Sequence, residues 1–241
     1  MHDRERYTYR PLLAAENSIR LLQILPGAPD TDIQCQIIDY TIRNEQVSGL
    51  FEALSYVWGD AADRRPIYVS DHVTSGRLDI TSNLYVALQH LRDPALPRLM
   101  WIDAVCIDQE NLAERASQVN SMANIYSYAR QVVVWLGIAD DDSGDILAAI
   151  EDTADLCRRL PPSSVKIPES TQCRTHQQAV YQRALSNLLD RPWFSRIWVL
   201  QESAAARLIL MKCVGLLLWA ICLNDSTDTK PLMNGTKSLL F

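Results

Sequence analysis

The sequence predicts an α/β fold, a three-layer, mainly parallel sheet flanked by helices, with an antiparallel pair of strands at its N-terminal edge. Residues 98–137 carry the prediction, because apolar runs at 99–102 and 132–136 enclose a segment whose apolar residues recur every three or four positions. Such short apolar strands, joined by a helix, are most readily buried as parallel neighbours covered by helices. Asn111 and Glu114 are the predicted caps of the central helix.

The elements on the N-terminal side follow from local patterns. Residues 19–25 and 33–42 are strand candidates that could pair antiparallel at the sheet edge, and residues 51–60 form an aromatic, β-branched strand broken at Gly59. Residues 67–69 form a short strand, and residues 82–92 form a helix capped by Thr81 or Ser82. The predicted order over residues 51–137 is therefore strand, helix, strand, helix, strand.

On the C-terminal side, the pattern is less regular. The acidic residues 139–145 are expected to cap a helix over 146–160, since a calcium loop would need further oxygen ligands and a bidentate glutamate at its end. We expect one domain over residues 1–223. It has a core at 51–137, an insertion or linker at about 138–176 and a C-terminal helix and strand over 190–219; residues 224–241 form a disordered tail.

Composition excludes several classes of protein. A formal net charge of −6 over 241 residues argues against an electrostatic nucleic-acid binder. The charged N-terminus lacks a secretory signal, so we expect a reducing, cytoplasmic setting with the six cysteines as thiols, and no spacing typical of a zinc site is present. The apolar residues 208–223 fall short of the ~20 needed to cross a bilayer, so no membrane span is predicted.

Polar side chains follow two of the predicted parallel strands. Ligands of such sheets bind at the carboxyl ends of the strands, so we predict a binding site there. The candidates are Ser55, Tyr56, Trp58, Gly59 and Asp60 at the end of the first strand, Asp103, Cys106, Asp108 and Gln109 after the second, and Trp198 from the C-terminal helix.

Each candidate also has a structural interpretation. The aspartates could bind ribose hydroxyls or cap loops and helices, and Cys106 could be a nucleophile or a small buried apolar residue. Arg115 could pair with Asp108 or bind a phosphate. The tryptophans could form core and pocket walls, or stack on a flat ring; they are Trp58, Trp101, Trp135 and Trp198.

Several long motifs, in order, resemble the fungal heterokaryon incompatibility (HET) domain. They are YRPL with IRLLQILPG, FEALSYVWGD, ITSNLYVALQHLR, LMWIDAVCIDQENLAERASQVNSMANIYSYARQVVVWLG and RPWFSRIWVLQES. The resemblance implies a cytosolic domain of filamentous fungi that triggers programmed cell death in non-self recognition, when genetically different hyphae fuse. Where the family usually has a cysteine followed directly by glycine, this chain reads Cys213, Val214, Gly215.

HET domains are in turn remotely similar to Toll/interleukin-receptor (TIR) domains, whose flavodoxin-like enzymatic members cleave NAD. The resemblance therefore implies NAD as a substrate, with no bound cofactor or metal, and it points to Glu202 as the catalytic carboxylate. The alternative for Glu202 is an exposed helical acid. The alternatives for the protein are a non-catalytic signalling module that acts through protein partners or self-assembly, and hydrolysis through Cys106.

Overall fold

The computed structural model describes residues 5–12, 17–43, 50–138, 186–187, 189–196, 202, 205–213 and 216–222. Its strands are β1 (Ser18–Ile24), β2 (Gln34–Thr41), β3 (Glu52–Ser55), β4 (Arg64–Ser70), β5 (Ser75–Thr81), β6 (Arg98–Trp101), β7 (Gln131–Trp135), β8 (Leu208–Cys213) and β9 (Leu216–Cys222). Its helices are α1 (Ser82–Leu91), α2 (Asp103–Cys106) and α3 (Leu112–Tyr128). The predicted helix over 146–160 and the tail lie outside the described residues.

The strands form one sheet in the order β5, β4, β2, β1, β6, β3, β7, β8, β9. The α/β class is thus confirmed, but the described sheet is mixed rather than mainly parallel. Four of its eight strand pairings are parallel and four are antiparallel. The parallel strands β6, β3, β7 and β8 are adjacent and form the part of the sheet next to the candidate site.

The N-terminal pair β1 and β2 is antiparallel as predicted, but its predicted place at the sheet edge is wrong. β1 also pairs with β6, and β2 also pairs with β4. Nearly all of β1 is buried, which follows from the apolar residues Ile19, Leu21, Leu22 and Ile24 on both of its faces. A strand that is apolar on both faces belongs inside a sheet, and this is what the pairing shows.

The predicted order over residues 51–137 leaves out three elements: the strands β4 and β5 and the short helix α2. β4 is longer than the predicted 67–69 and pairs with the unpredicted β5 in an antiparallel hairpin. Asp71 closes its turn by accepting hydrogen bonds from the backbone N–H groups of Val73 and Thr74. The strand predicted over 51–60 ends at Ser55, so that residues 56–60 form a loop beyond the sheet.

Helices α1 and α3 lie where the periodicity places them, with changes at their starts. Thr81 is the N-cap of α1 but makes no side-chain capping bond. Asn111 caps α3 through the N–H of Glu114, whereas the Glu114 side chain turns away to Arg20 and the N–H of Asp108. Leu112, predicted on the buried face, is 67% exposed, because the burial of α3 begins further along the helix, at Gln118.

The strand register assigns the two long helices to different faces of the sheet. Trp101, Ala53 and Val132 are neighbours across β6, β3 and β7, and the Trp101 ring contacts Tyr126 of α3. Trp135 lies three residues after Val132, on the other face, and contacts His90 of α1. Ser55 shares the α3 face with Ala53, two residues before it.

The apolar residues 208–223 form the β8–β9 hairpin as far as Cys222. None of the described helices is long and apolar enough to cross a membrane.

The N-terminal segment crosses β5 at a glycine that leaves no room for a side chain. A Cβ on Gly76 would lie 2.5 Å from the backbone N of Tyr7, whose N–H donates to the Arg77 carbonyl. We expect Gly76→Ala to lower the free energy of unfolding by about 1–3 kcal/mol, because backbone must move. Urea unfolding measures this effect, with the exposed neighbour Ser75→Ala as control; equal stability of the two variants would contradict it.

Candidate functional site

A cavity of about 700 Å³ opens at the carboxyl ends of β3 and β6. These strands are parallel neighbours, so the loops that follow them meet at one edge of the sheet. The volume lies in the range of small-molecule sites, about 300–1,000 Å³. The lining residues come from both loops, from α3 and from the C-terminal segment: Val57, Trp58, Gly59, Asp103, Ile107, Gln109, Arg115, Val119, Met122 and Arg196.

One hydrogen bond joins the segments that follow β3 and β6, and a second stabilises the segment after β6. Trp58 donates its indole N–H to Asp103 Oδ2 at 2.9 Å and remains 43% exposed. Gln109 donates its side-chain amide to the Asp103 carbonyl at 2.8 Å. Gly59 has φ +80°, a conformation that favours glycine, and turns the first loop at this point. Four of the predicted binding residues, Trp58, Gly59, Asp103 and Gln109, therefore share one cavity.

Asp103 is the acid in the cavity wall. Burial raises the pKa of its carboxyl group to about 6, and the negative charge of Glu202 acts in the same direction. The hydrogen bonds from Trp58 and from the Ala104 N–H, and the positive charge of Arg196, oppose this rise. Asp103 therefore changes its protonation state close to neutral pH.

Glu202 lies behind the cavity wall and is only 1% exposed. Arg196 donates to both of its carboxylate oxygens, at 3.0 Å to Oε1 and 3.4 Å to Oε2. Ser55 donates its hydroxyl to Oε2, and Trp193 donates its indole N–H to Ser55 Oγ at 2.7 Å. The alternative of an exposed helical acid is therefore wrong for Glu202.

Arg196 links the buried acid to the cavity, since it binds Glu202 and also lines the cavity wall. No sequence pattern pointed to Arg196 or Trp193 as site residues. The available signal was an arginine six residues before an acid in an otherwise apolar stretch. This spacing is not that of neighbours on one helix face, so periodicity does not reveal the pair.

Three of the predicted binding residues are buried and do not line the cavity: Ser55, which binds Glu202, and Tyr56 and Cys106. Tyr56 is buried, and its hydroxyl has no hydrogen-bond partner in the part of the chain that the structure describes. Cys106 is buried beside its own backbone, where its sulfur accepts the Ile102 N–H at 3.3 Å. Burial raises the pKa of this thiol to about 12, which favours the apolar interpretation of Cys106 over that of a nucleophile.

The other two aspartates accept backbone hydrogen bonds in their own loops. Asp60 accepts the Ala62 N–H at 2.9 Å, and Asp108 accepts the Glu110 N–H at 3.1 Å. Neither lines the cavity. These contacts agree with the capping interpretation.

The remaining candidates separate into core and surface. Trp101 and Trp135 are fully buried in the core, and Trp198 lies outside the described residues. Arg115 is exposed at the cavity and pairs with no acid among the described residues, Asp108 included. Within the same ranges, no group of three or more His, Cys, Asp or Glu side chains is arranged to hold a metal ion.

Residues 51–202 match the family described as Heterokaryon incompatibility protein (HET), a span that runs from β3 to Glu202 and covers more than half of the chain. The chain belongs to this family, as its motifs predicted. Heterokaryon incompatibility protein 6, OR allele, of Neurospora crassa is 33% identical over 215 residues, which cover 76% of this chain and 31% of that protein. The chain thus spans about a third of the length of this relative. No solved structure matches the chain significantly.

Proposed function

We propose that this chain is an incompatibility module of filamentous fungi, acting in the cytoplasm, that triggers cell death in non-self recognition by cleaving NAD. Membership of the HET family and the name of the Neurospora crassa relative support the incompatibility role. The proposal includes a three-layer, flavodoxin/TIR-like arrangement of the domain. The parallel strands β6, β3, β7 and β8, with helices α1 and α3 on different faces, support this arrangement.

The link between Glu202 and the cavity is the observation that carries the enzymatic proposal. Arg196 lines the cavity and holds the Glu202 carboxylate one side chain behind its wall. Burial of a carboxylate costs free energy because the charge loses its hydration, and buried acids beside cavities of ligand size concentrate at functional sites.

The lining of the cavity fits the chemistry of a dinucleotide. NAD offers flat rings, ribose hydroxyls and a diphosphate. The exposed ring of Trp58 provides a stacking surface, and the guanidinium of Arg115 provides a cation for phosphate. Asp103 and Gln109 provide oxygen and nitrogen atoms that can bind ribose hydroxyls.

Glu202 acts in this proposal as the charge that favours bond cleavage. When the bond between nicotinamide and ribose breaks, positive charge develops on the ribose ring, and a carboxylate stabilises that charge. A phosphate of the ligand competes with Glu202 for Arg196, because both are oxyanions that a guanidinium binds in the same way. When the phosphate binds Arg196 in place of Glu202, the Glu202 carboxylate is released from its ion pair and faces the ligand.

Incubation of the purified full chain with NAD tests the proposal. We expect nicotinamide and ADP-ribose to appear in equal amounts, measured by chromatography over time. The control is NAD incubated with heat-unfolded protein. Intact NAD after incubation with the folded protein, both dilute and at concentrations at which it assembles, would contradict the proposal.

The hydrogen bonds that the Glu202 carboxylate already accepts favour a second candidate function. This candidate is a non-catalytic signalling module that acts through self-assembly or protein partners. The carboxylate of Glu202 is buried and accepts bonds from Ser55 and from two guanidinium nitrogens, which a purely structural acid would also do. Large exposed apolar side chains are available for assembly, among them Leu50, Leu112 and Ile138. For this candidate we expect assembly without nicotinamide release, which light scattering and chromatography measure on the same sample.

A further inference from the structure

We propose that Asp103 is the general base of the cavity, which removes the proton from the water that attacks the ribose carbon. The inference rests on the proposed cleavage of NAD and adds a second acidic residue, with a different role, to that reaction.

The geometry leaves Asp103 able to bind water at the cavity. Asp103 lines the cavity, and its carboxylate accepts two hydrogen bonds, the Trp58 indole N–H at Oδ2 (2.9 Å) and the Ala104 N–H at Oδ1 (2.7 Å). A carboxylate has about four acceptor sites, so each oxygen keeps one site for a further donor. The two existing bonds fix the orientation of the carboxylate, which a base requires in order to meet its proton.

The two acids near the cavity have different surroundings. Glu202 is bound by a guanidinium through two nitrogens and by a hydroxyl, so its negative charge is compensated. Asp103 has no cation bonded to it among the described residues; its partners there are the N–H groups of Trp58 and Ala104. Where two neighbouring acids have surroundings this different, they are suited to different roles in one reaction.

Five groups in the described part of the chain act electrostatically on Asp103. They are Glu202 and Arg196 from the C-terminal segment, Tyr56 after β3, Cys106 of α2 and Tyr126 of α3. The pKa values of Tyr56 and Tyr126 are raised by burial, and that of Cys106 is raised to about 12, so these three groups stay neutral near pH 7. The charged neighbours are therefore Glu202, which raises the pKa of Asp103, and Arg196, which lowers it.

The proposed step balances as a hydrolysis. The water oxygen forms a bond to the ribose carbon C1′, and the bond from C1′ to the nicotinamide nitrogen breaks. Its electron pair goes to the ring nitrogen, which loses its positive charge and leaves as neutral nicotinamide. The proton released by the water goes to the Asp103 carboxylate and then to solvent. The products are nicotinamide, ADP-ribose and one proton.

The direction of the pH dependence follows from this role. A base works only when deprotonated, and the pKa of Asp103 is about 6. The value of kcat/KM reports groups of the free enzyme, so it should rise tenfold per pH unit below about pH 6 and level off above it.

The test measures nicotinamide release between about pH 5 and pH 8 by the wild type, Asp103→Asn and the control Asp79→Asn. Asp79 is half-exposed on β5 at the far edge of the sheet, paired with Arg77. We expect the wild type and Asp79→Asn to share the rise near pH 6. We expect Asp103→Asn to lose about 10²-fold or more in kcat/KM and to show no such rise, as removal of a general base predicts.

A second readout does not depend on turnover. The Trp58 indole N–H donates to Asp103, so its ¹⁵N and ¹H shifts should titrate near pH 6 in the wild type and stay constant in Asp103→Asn. The wild-type titration tests the proposal even if the Asp103→Asn variant fails to fold. An indole signal that does not titrate between pH 5 and pH 8 overturns the proposal.

The outcomes distinguish a failure of the proposed role of Asp103 from a failure of the proposed NAD cleavage. Nicotinamide release that is independent of pH, or that survives in Asp103→Asn, overturns the role of Asp103 and leaves the proposed function standing. The absence of nicotinamide release at every pH overturns both, even where the Trp58 indole titrates.

Discussion

Glu114→Ala is expected to lower the free energy of unfolding by about 3–5 kcal/mol, because it leaves a buried guanidinium without its counter-ion. Arg20 on β1 is 2% exposed and donates through both terminal nitrogens to Glu114 at the start of α3. Glu114 also accepts, at 2.9 Å, the N–H of Asp108, which lies between the cavity-lining residues Ile107 and Gln109. The loss of stability in Glu114→Ala should therefore exceed that caused by an ordinary helix substitution.

The same region of the chain offers a matched control. Glu110 pairs with Arg6 on the surface, where both side chains are largely exposed. Exposed ion pairs contribute about 0–1 kcal/mol, so Glu110→Ala should change stability little. Urea unfolding of both variants at neutral pH measures the difference. Equal stability of the two variants would show that the Arg20–Glu114 pair does not anchor α3 to β1.

Glu202→Gln is expected to lower NAD turnover by about 10²–10³-fold, because the amide removes the negative charge that stabilises the ribose cation. The amide keeps the size of the side chain, and its oxygen still accepts one bond from Arg196. We expect the variant to fold with a loss of about 1–3 kcal/mol, which reflects the second guanidinium bond it cannot make.

Glu5→Gln provides the control with the same chemical change at an exposed position far along the sheet, beside β5. Turnover should equal that of the wild type in this control. The measurement compares initial rates per mole of folded protein, with the folded fraction obtained from circular dichroism. Unchanged turnover in Glu202→Gln would remove Glu202 from the reaction.

The parts of the fold that sequence predicted are those fixed by short-range patterns. The long helix α3 follows from its 3.6-residue period and its Asn111 cap, and β7 follows from an unbroken apolar run. Sequence missed β5 because SGRLDIT, although it alternates, has a glycine at its first buried position and so only two apolar side chains, Leu78 and Ile80. The place of β1 inside the sheet depends on contacts with β6, about eighty residues away, which no local pattern contains.

The candidate site likewise contains residues that sequence could predict and contacts that it could not. Trp58 and Asp103 were predictable because each follows a strand, and parallel strands bring their carboxyl ends together. The bonds from Ser55 and Arg196 to Glu202 were not predictable, since Ser55 is 147 residues from Glu202 and the arginine lies off any helical spacing. Sequence pointed to Glu202 through family resemblance, and the contacts explain how a buried acid is held there.

The position of NAD bound to the Glu202→Gln protein tests the central claim most directly, that the cavity and the buried acid form one site. A crystal of this variant soaked with NAD should contain the uncleaved dinucleotide in the cavity. We predict its diphosphate within hydrogen-bond distance of Arg115 or Arg196 and its nicotinamide ribose next to Asp103 and residue 202. A saturating soak that leaves the cavity without NAD, or that places NAD elsewhere on the protein, would contradict the claim.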